Sequence, residues 1–235
     1  MLLGMACSLV GAPEERTIDG VTSQILRVSA DQVKIIWKND QGEALRTFPA
    51  VARYLKKQGL EVQTLINAGI FEPGGIPSGL LIQDGKTLCP VNPREGRGNF
   101  FLQPNGIFMI SSKGASVIRT DEYSPGTVKI RCAVQSGPLL LRKGKLHPRF
   151  NRGSTSRLHR NGVGVAENGE VVFAISDIDS PKFPNLYEFA QLFRILGCDD
   201  ALFLDGDLST MRSGEAIRQP SNAFGAVIAV VEPDG

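Results

Sequence analysis

Histidine is nearly absent from this 235-residue chain, which has only His147 and His159, and its four cysteines form no C-x-x-C pair. A zinc site therefore lacks both its usual ligands and their usual spacing. An excess of charge of one sign is missing too: 26 Lys+Arg stand against 24 Asp+Glu, a net charge of +2. With no dense basic helix and no basic stripe interleaved with aromatics, this balance argues against nucleic acid as a partner. Tryptophan occurs once, at Trp37, so the remainder of the chain has no indole platform for stacking a sugar. Beyond residues 1–12, no apolar run approaches the ~20 residues needed to span a bilayer. Internal repeats, heptads and low-complexity linkers are absent as well.

What is present describes a folded globular chain. Hydrophobic residues make up 42% and charged residues 21%, enough apolar material for a sizeable core. The 26 glycines and 14 prolines suit a loop-rich protein better than a helical bundle. The expected architecture is α+β: one domain over residues 13–235, with a mixed, mostly antiparallel twisted sheet packed by a few helices. Residues 1–12 are apolar and small and read as a truncated secretory signal, with Gly11-Ala12 near a cleavage point and the positive n-region missing. They point to an extracytoplasmic, periplasmic or secreted location. A disulfide among Cys89, Cys132 and Cys198 would suit that compartment and would leave at least one buried thiol.

Strand patterns fall at residues 21–28, 33–37, 61–66, 79–83, 106–110, 116–119, 128–134, 139–141, 162–165, 171–175 and 224–231. Pro49 opens a helix over residues 50–58 that stops at Gly59. Asn168-Gly169 marks a hairpin, and Lys143-Gly144 marks another. The clearest helix runs from Asn185 to Leu196. Asn185 and Glu188 form its capping box, and Leu186, Phe189, Ala190, Phe193 and Leu196 line one apolar face.

Chemistry gathers where apolar runs end. The run Leu202-Phe203-Leu204 stops at Asp205-Gly206-Asp207, followed by Leu208-Ser209-Thr210. Carboxylates at the end of a buried strand are rigidly held at the mouth of a sheet, although Asp-Gly is also an ordinary turn dipeptide. Similar clusters follow at residues 67–72, at Gln135-Ser136-Gly137, and at Asp177 and Asp179. The loop over residues 150–162 carries Arg152, Arg157, His159 and Arg160 among glycine and small hydroxyl residues. Guanidinium groups in such a loop match phosphate or carboxylate oxygens, but they would equally suit a solvated basic loop.

Five of these segments, in order, resemble the phosphodiester glycosidase family. They are Asn67-Ala68-Gly69-Ile70-Phe71; Gln135-Ser136-Gly137-Pro138; Ser154-Thr155-Ser156-Arg157; Arg160-Asn161-Gly162-Val163-Gly164; and Leu204-Asp205-Gly206-Asp207-Leu208-Ser209. The resemblance covers about residues 60–231. The family often has Asn-Gly-Gly-Phe-Phe in the first segment and Asp-Gly-Gly-Gly-Ser in the last, so Ala68, Ile70, Asp207 and Leu208 depart from its pattern. The arginine segment departs as well.

The resemblance implies hydrolysis of a glycosyl phosphodiester at the sugar side, in an envelope or extracellular glycan. Asp205 is then the leading carboxylate, as nucleophile or as base for water, with Glu72 or Asp207 as the second. Arg157 leads as the charge that stabilises the leaving phosphate, followed by Arg160. Asn67, Gly69, Ser136, Gly137, Asn161, Gly206, Ser209 and Thr210 complete the expected substrate site. No cofactor is required by the sequence, but a divalent cation held by Asp177, Asp205 and Asp207 would convert the site to a metal-assisted phosphoesterase. A glycan-binding module without turnover is the other alternative.

Overall fold

The computed structural model describes residues 11–232. Most of the expected signal segment, Cys7 included, lies outside the described residues. A hairpin opens the fold, β1 (Glu14–Ile18) and β2 (Val21–Val28), followed by β3 (Val33–Ile36) and helix α1 (Phe48–Lys57). Next come β4 (Val62–Asn67), the short pair β5 (Phe71–Glu72) and β6 (Ile76–Pro77), then β7 (Leu81–Gln83) and β8 (Lys86–Cys89). A run of five strands follows: β9 (Gly106–Ser111), β10 (Gly114–Arg119), β11 (Ile130–Ser136), β12 (Leu139–Arg142) and β13 (Lys145–Leu146). The chain ends with β14 (Asn161–Ala166), β15 (Val171–Ser176), helix α2 (Leu186–Ile195), β16 (Cys198–Asp205), β17 (Met211–Ser213) and β18 (Val227–Val231).

These strands form three sheets around one core. The orders are β1-β2-β15-β14-β16-β12-β13, β10-β9-β11-β7-β8 and β17-β4-β18-β3, with β5-β6 as a separate two-stranded pair. The α+β expectation with mostly antiparallel pairing holds, but the pairing is divided among sheets rather than gathered in one. Leu26, Phe173 and Leu204 from the first sheet, Phe108 and Val134 from the second, and Ile66 and Ile228 from the third pack in a single buried cluster. Helix α2 covers the outer face of the seven-stranded sheet through Phe189, Ala190 and Phe193, against Ile25, Val172 and Phe203. Helix α1 does the same for the four-stranded sheet, with Phe48, Val51 and Leu55 against Leu65 and Val227. Each helix therefore buries one apolar stripe and leaves its polar side to solvent.

Cys89, Cys132 and Cys198 form no disulfide and are all buried free thiols. Cys89 on β8 and Cys132 on β11 are separated by β7, and two strand spacings, about 9.6 Å, exceed disulfide reach. Cys198 packs in the cluster under α2 rather than with the other two. Burial pushes its thiol up to about 12 and that of Cys132 up to about 11, so both are inert at neutral pH.

Candidate active site

Topology brings strand ends from all three sheets to one place. Strand β4 ends at Asn67, β16 ends at Asp205, β14 begins at Asn161 and β11 ends at Ser136. Asn161 lies opposite Asp205 in the β14–β16 register. The antiparallel ladder thus delivers an amide beside a carboxylate at the sheet edge.

Asn67 is the hub of this cluster. Its side-chain Nδ2 donates to Asp205 Oδ2 at 2.9 Å, and its Oδ1 accepts from the Thr210 backbone N–H at 2.8 Å and from Asn161 Nδ2 at 3.2 Å. Asn161 Nδ2 also donates to the Asn67 carbonyl at 2.8 Å. Three partners fix the orientation of the Asn67 amide, because only one assignment of its O and N satisfies them all. The other Asp205 oxygen accepts from the Gly206 backbone N–H at 2.8 Å. Burial pushes the Asp205 carboxyl up to about 6, aided by nearby Asp207 and opposed by the hydrogen bonds from Gly206 and Asn67. Desolvation wins, which is the usual way a carboxyl is tuned toward acid–base work near neutrality.

The walls are equally specified. Ser136 Oγ donates to the Leu204 carbonyl at 2.9 Å, one residue before Asp205. A Cβ on Gly69 would come within 3.0 to 3.1 Å of Val134, Gln135 and Ser136, and one on Gly137 would come within 2.6 Å of the Asn105 side chain. Both glycines therefore permit a close approach of chains that larger residues would prevent. Beyond the strand, Ser209 N donates to the Gly206 carbonyl at 2.8 Å and closes the turn. Two buried polar atoms here, Asn161 Oδ1 and Ser209 Oγ, have no hydrogen-bond partner among the described residues. Buried polar atoms in native proteins are usually hydrogen-bonded to protein, water or a bound group.

The arginines are used differently from expectation. Arg157 forks onto Glu188, with Nη2 donating at 2.9 Å, and also donates to the Phe183 carbonyl at 3.0 Å. Its guanidinium thus anchors the N-terminus of α2 rather than standing free. Arg160 is 1% exposed and has no carboxylate partner among the described residues. Its guanidinium donates to the Pro184 carbonyl at 2.9 Å and the Ser156 carbonyl at 3.1 Å. Burial lowers its affinity for the proton to about 10, partly offset by the field of Asp207, so it remains a cation at neutral pH.

The remaining candidates lie at the margins. Asp207 is exposed in the turn after Asp205. Glu72 is exposed on the β5–β6 hairpin and accepts from Ser78 Oγ at 2.8 Å. No hydrogen bond joins Glu72 to the Asp205 network among the described residues. Asp177 accepts from Gln24 Nε2 at 3.3 Å and from the Asp179 N–H at 2.9 Å. Among the described residues, no three His, Cys, Asp or Glu side chains come together as a group that could hold a metal ion.

One residue that the sequence places in the 150–162 loop without a role gains one from the structure. His159 is buried, with Nε2 at 2.9 Å from the Ser209 carbonyl and Nδ1 at 3.0 Å from Ser176 Oγ. A carbonyl can only accept, so Nε2 carries the proton and the neutral ring accepts from Ser176. Burial lowers the His159 pKa, consistent with that neutral form. The residue ties the turn after Asp205 to β15. Its partners lie 50 and 17 residues away, and no local pattern announces such pairings.

A family model described as phosphodiester glycosidase matches residues 61–231. The chain is 33% identical over 212 residues to the uncharacterized protein YigE of Escherichia coli K12, covering 89% of this chain and 81% of that protein. Among solved structures, the catalytic domain of zebrafish N-acetylglucosamine-1-phosphodiester alpha-N-acetylglucosaminidase, auto-inhibited by its pro-peptide, aligns with a TM-score of 0.67. That alignment is 17% identical and covers 93% of this chain and 81% of the zebrafish domain. A hypothetical protein from Synechocystis aligns with a TM-score of 0.52 at 14% identity, covering 94% of this chain and 61% of that one.

Proposed function

The chain belongs to the phosphodiester glycosidase family, and on that premise we propose that it hydrolyses a glycosyl phosphodiester at the sugar side. Water attacks the anomeric carbon, the bond from that carbon to the phosphate oxygen breaks, and a free sugar and a phosphomonoester leave. The observation that carries this reading is Asp205: a carboxyl at a sheet mouth, held by Asn67 and Gly206 and pushed by burial up to about 6. Above that value it is ionised and acts as the base for the attacking water. Asn161 Oδ1 and Ser209 Oγ, buried and unpartnered among the described residues, stand beside this carboxyl as further polar groups of the site.

The leaving group needs charge more than it needs a proton, because a phosphomonoester has a second pKa of ~6. Arg160 is the better cation for that role, since Arg157 is committed to Glu188. A buried guanidinium bonded only to carbonyls keeps its full charge for an incoming anion. Asp207 and Glu72 are the second carboxylates to test. The wider expectations, an envelope or extracellular glycan as substrate and an extracytoplasmic location, belong to this same proposal.

Incubating the protein with a panel of sugar-1-phosphodiesters tests the reading. Release of free sugar by the wild type, lost in Asp205→Asn with retained fold, supports it. Equal turnover by the folded variant would remove Asp205 from the mechanism. A protein that binds these compounds but never cleaves them would be a binding module instead.

A further inference from the structure

A cavity of about 500 Å³ lies between α2 and the β1–β2 hairpin. That is the size of a small-molecule site. Its floor is Val21, Phe189 and Leu192, and Ser23 stands in it. Ser23 is 1% exposed, and its Oγ has no hydrogen-bond partner among the described residues. A hydroxyl buried in this way against an open cavity is a donor and acceptor prepared for something that enters.

The rim is cationic and partly aromatic. Arg152, Lys182 and Arg194 line it with Tyr187 and Gln191, against the carboxylates Asp19 and Glu188. Glu188 is already paired with Arg157 and Lys182. Among the described residues, Arg152 and Arg194 have no ion-pair partner. A buried hydroxyl, an amide, a phenol ring and two uncommitted guanidinium groups match a ligand with hydroxyls, an apolar ring face and a negative charge.

The cavity is coupled to the Asp205 site without being part of it. Ser23 pairs with Ser176 in the β2–β15 register, and Ser176 holds His159, which holds the Ser209 carbonyl. Pro184, which lines the cavity, accepts from Arg160. Strand β2 lies three places from β16 in the sheet, so the cavity is about 14 Å from Asp205 across the strands.

We infer that this cavity binds an anionic sugar unit, a hexose carrying phosphate, and serves as a second subsite for a neighbouring unit of the same substrate. The enzyme would then read a chain of repeating sugar phosphates rather than a single capped sugar. The subsite role rests on the hydrolase reading above, whereas binding in the cavity does not.

The probes are glucose 6-phosphate, glucose and inorganic phosphate, titrated into the wild type and three variants. Glucose 6-phosphate should bind more tightly than either fragment. Arg194→Ala, on the exposed side of α2, should weaken it roughly tenfold or more, as loss of a charge-assisted hydrogen bond does. Ser23→Val should weaken it roughly threefold to tenfold while the thermal midpoint stays level or rises, because an unpaired hydroxyl is removed. Asp205→Asn should leave this binding unchanged, which separates the cavity from the hydrolytic site. Inorganic phosphate binding as tightly as the sugar phosphate would reduce the site to a cationic patch and overturn the inference. Wild-type affinity in both Ser23→Val and Arg194→Ala would overturn it as well. Failure to cleave any diester would count against the hydrolase reading and leave these binding results standing.

Discussion

Asp205 joins two properties that usually oppose each other, strong hydrogen bonding and a raised pKa. The folded protein holds its carboxyl above the ordinary carboxylate value, at about 6. Stability from this group is therefore fully present at low pH and is lost as pH rises through about 6. Asp205→Asn sets an NH2 against one of the Asn67 and Gly206 donors at every pH but removes the buried charge. Its thermal midpoint relative to the wild type should therefore improve from pH 4 to pH 7.5, by on the order of 1–3 kcal/mol. A midpoint lowered equally at both pH values would show that Asp205 is not destabilised by its burial. In the active wild type, kcat/KM should rise roughly tenfold per pH unit below about pH 6 and level off above it. Asn67→Ala removes a hydrogen bond that favours the charged carboxylate, so that rising limb should move to higher pH. An unmoved limb would deny Asn67 its role. At this scale Asp205, Asn67, Asn161 and Ser136 each end or begin an apolar run in the sequence, and the structure brings them together with Thr210. The sequence did not show that Arg157 pairs with Glu188, 31 residues away, nor what His159, named only as part of the 150–162 loop, holds.

Helix α2 shows what Arg157 does instead. Asn185 accepts from the Glu188 N–H at 2.9 Å, and the Glu188 carboxylate accepts in return from the Asn185 N–H at 3.2 Å. Arg157 and Lys182 close on the same carboxylate, and Arg157 is the main cause holding Glu188 down at about 2. Stability from a lowered carboxyl is present above its unfolded pKa and is lost as pH falls toward the folded one. Glu188→Gln should therefore cost about 1–2 kcal/mol at pH 7 and progressively less toward pH 3, read as a difference in thermal midpoints. The helix also depends on a close approach. A Cβ at Gly164 would come within 2.7 Å of Cys198 Sγ and 2.8 Å of the Phe193 ring, so Gly164→Ala should destabilise by about 1–3 kcal/mol through overpacking. Elements were the most legible level of the sequence, since the capping box and apolar stripe of α2 are local signals. Strand β1 carries no alternating apolar signal, because its residues are mostly exposed and polar. Its turn, Asp19-Gly20 with φ of 51° and 77°, is the Asp-Gly hairpin signal that could have revealed it.

At the scale of the whole molecule, the three sheets share a core. Leu204, one residue before Asp205, is fully buried in it with Phe108 and Ile66 from the other two sheets. The sequence could not show this division, because period-2 patterns mark strands without saying which sheet each one joins. The same sharing explains why residues from Asn67 to Thr210 meet: the ends of three sheets abut, and the loops that leave them have one edge in common. Whether that edge is a hydrolytic site for sugar phosphodiesters is decided most directly by cleaving a glycosyl phosphodiester in oxygen-18 water and locating the label. Attack at the anomeric carbon puts the heavy oxygen on the released sugar and none on the phosphomonoester, which is the result expected here. Label on the phosphate would mean attack at phosphorus and a phosphoesterase, and would contradict the account.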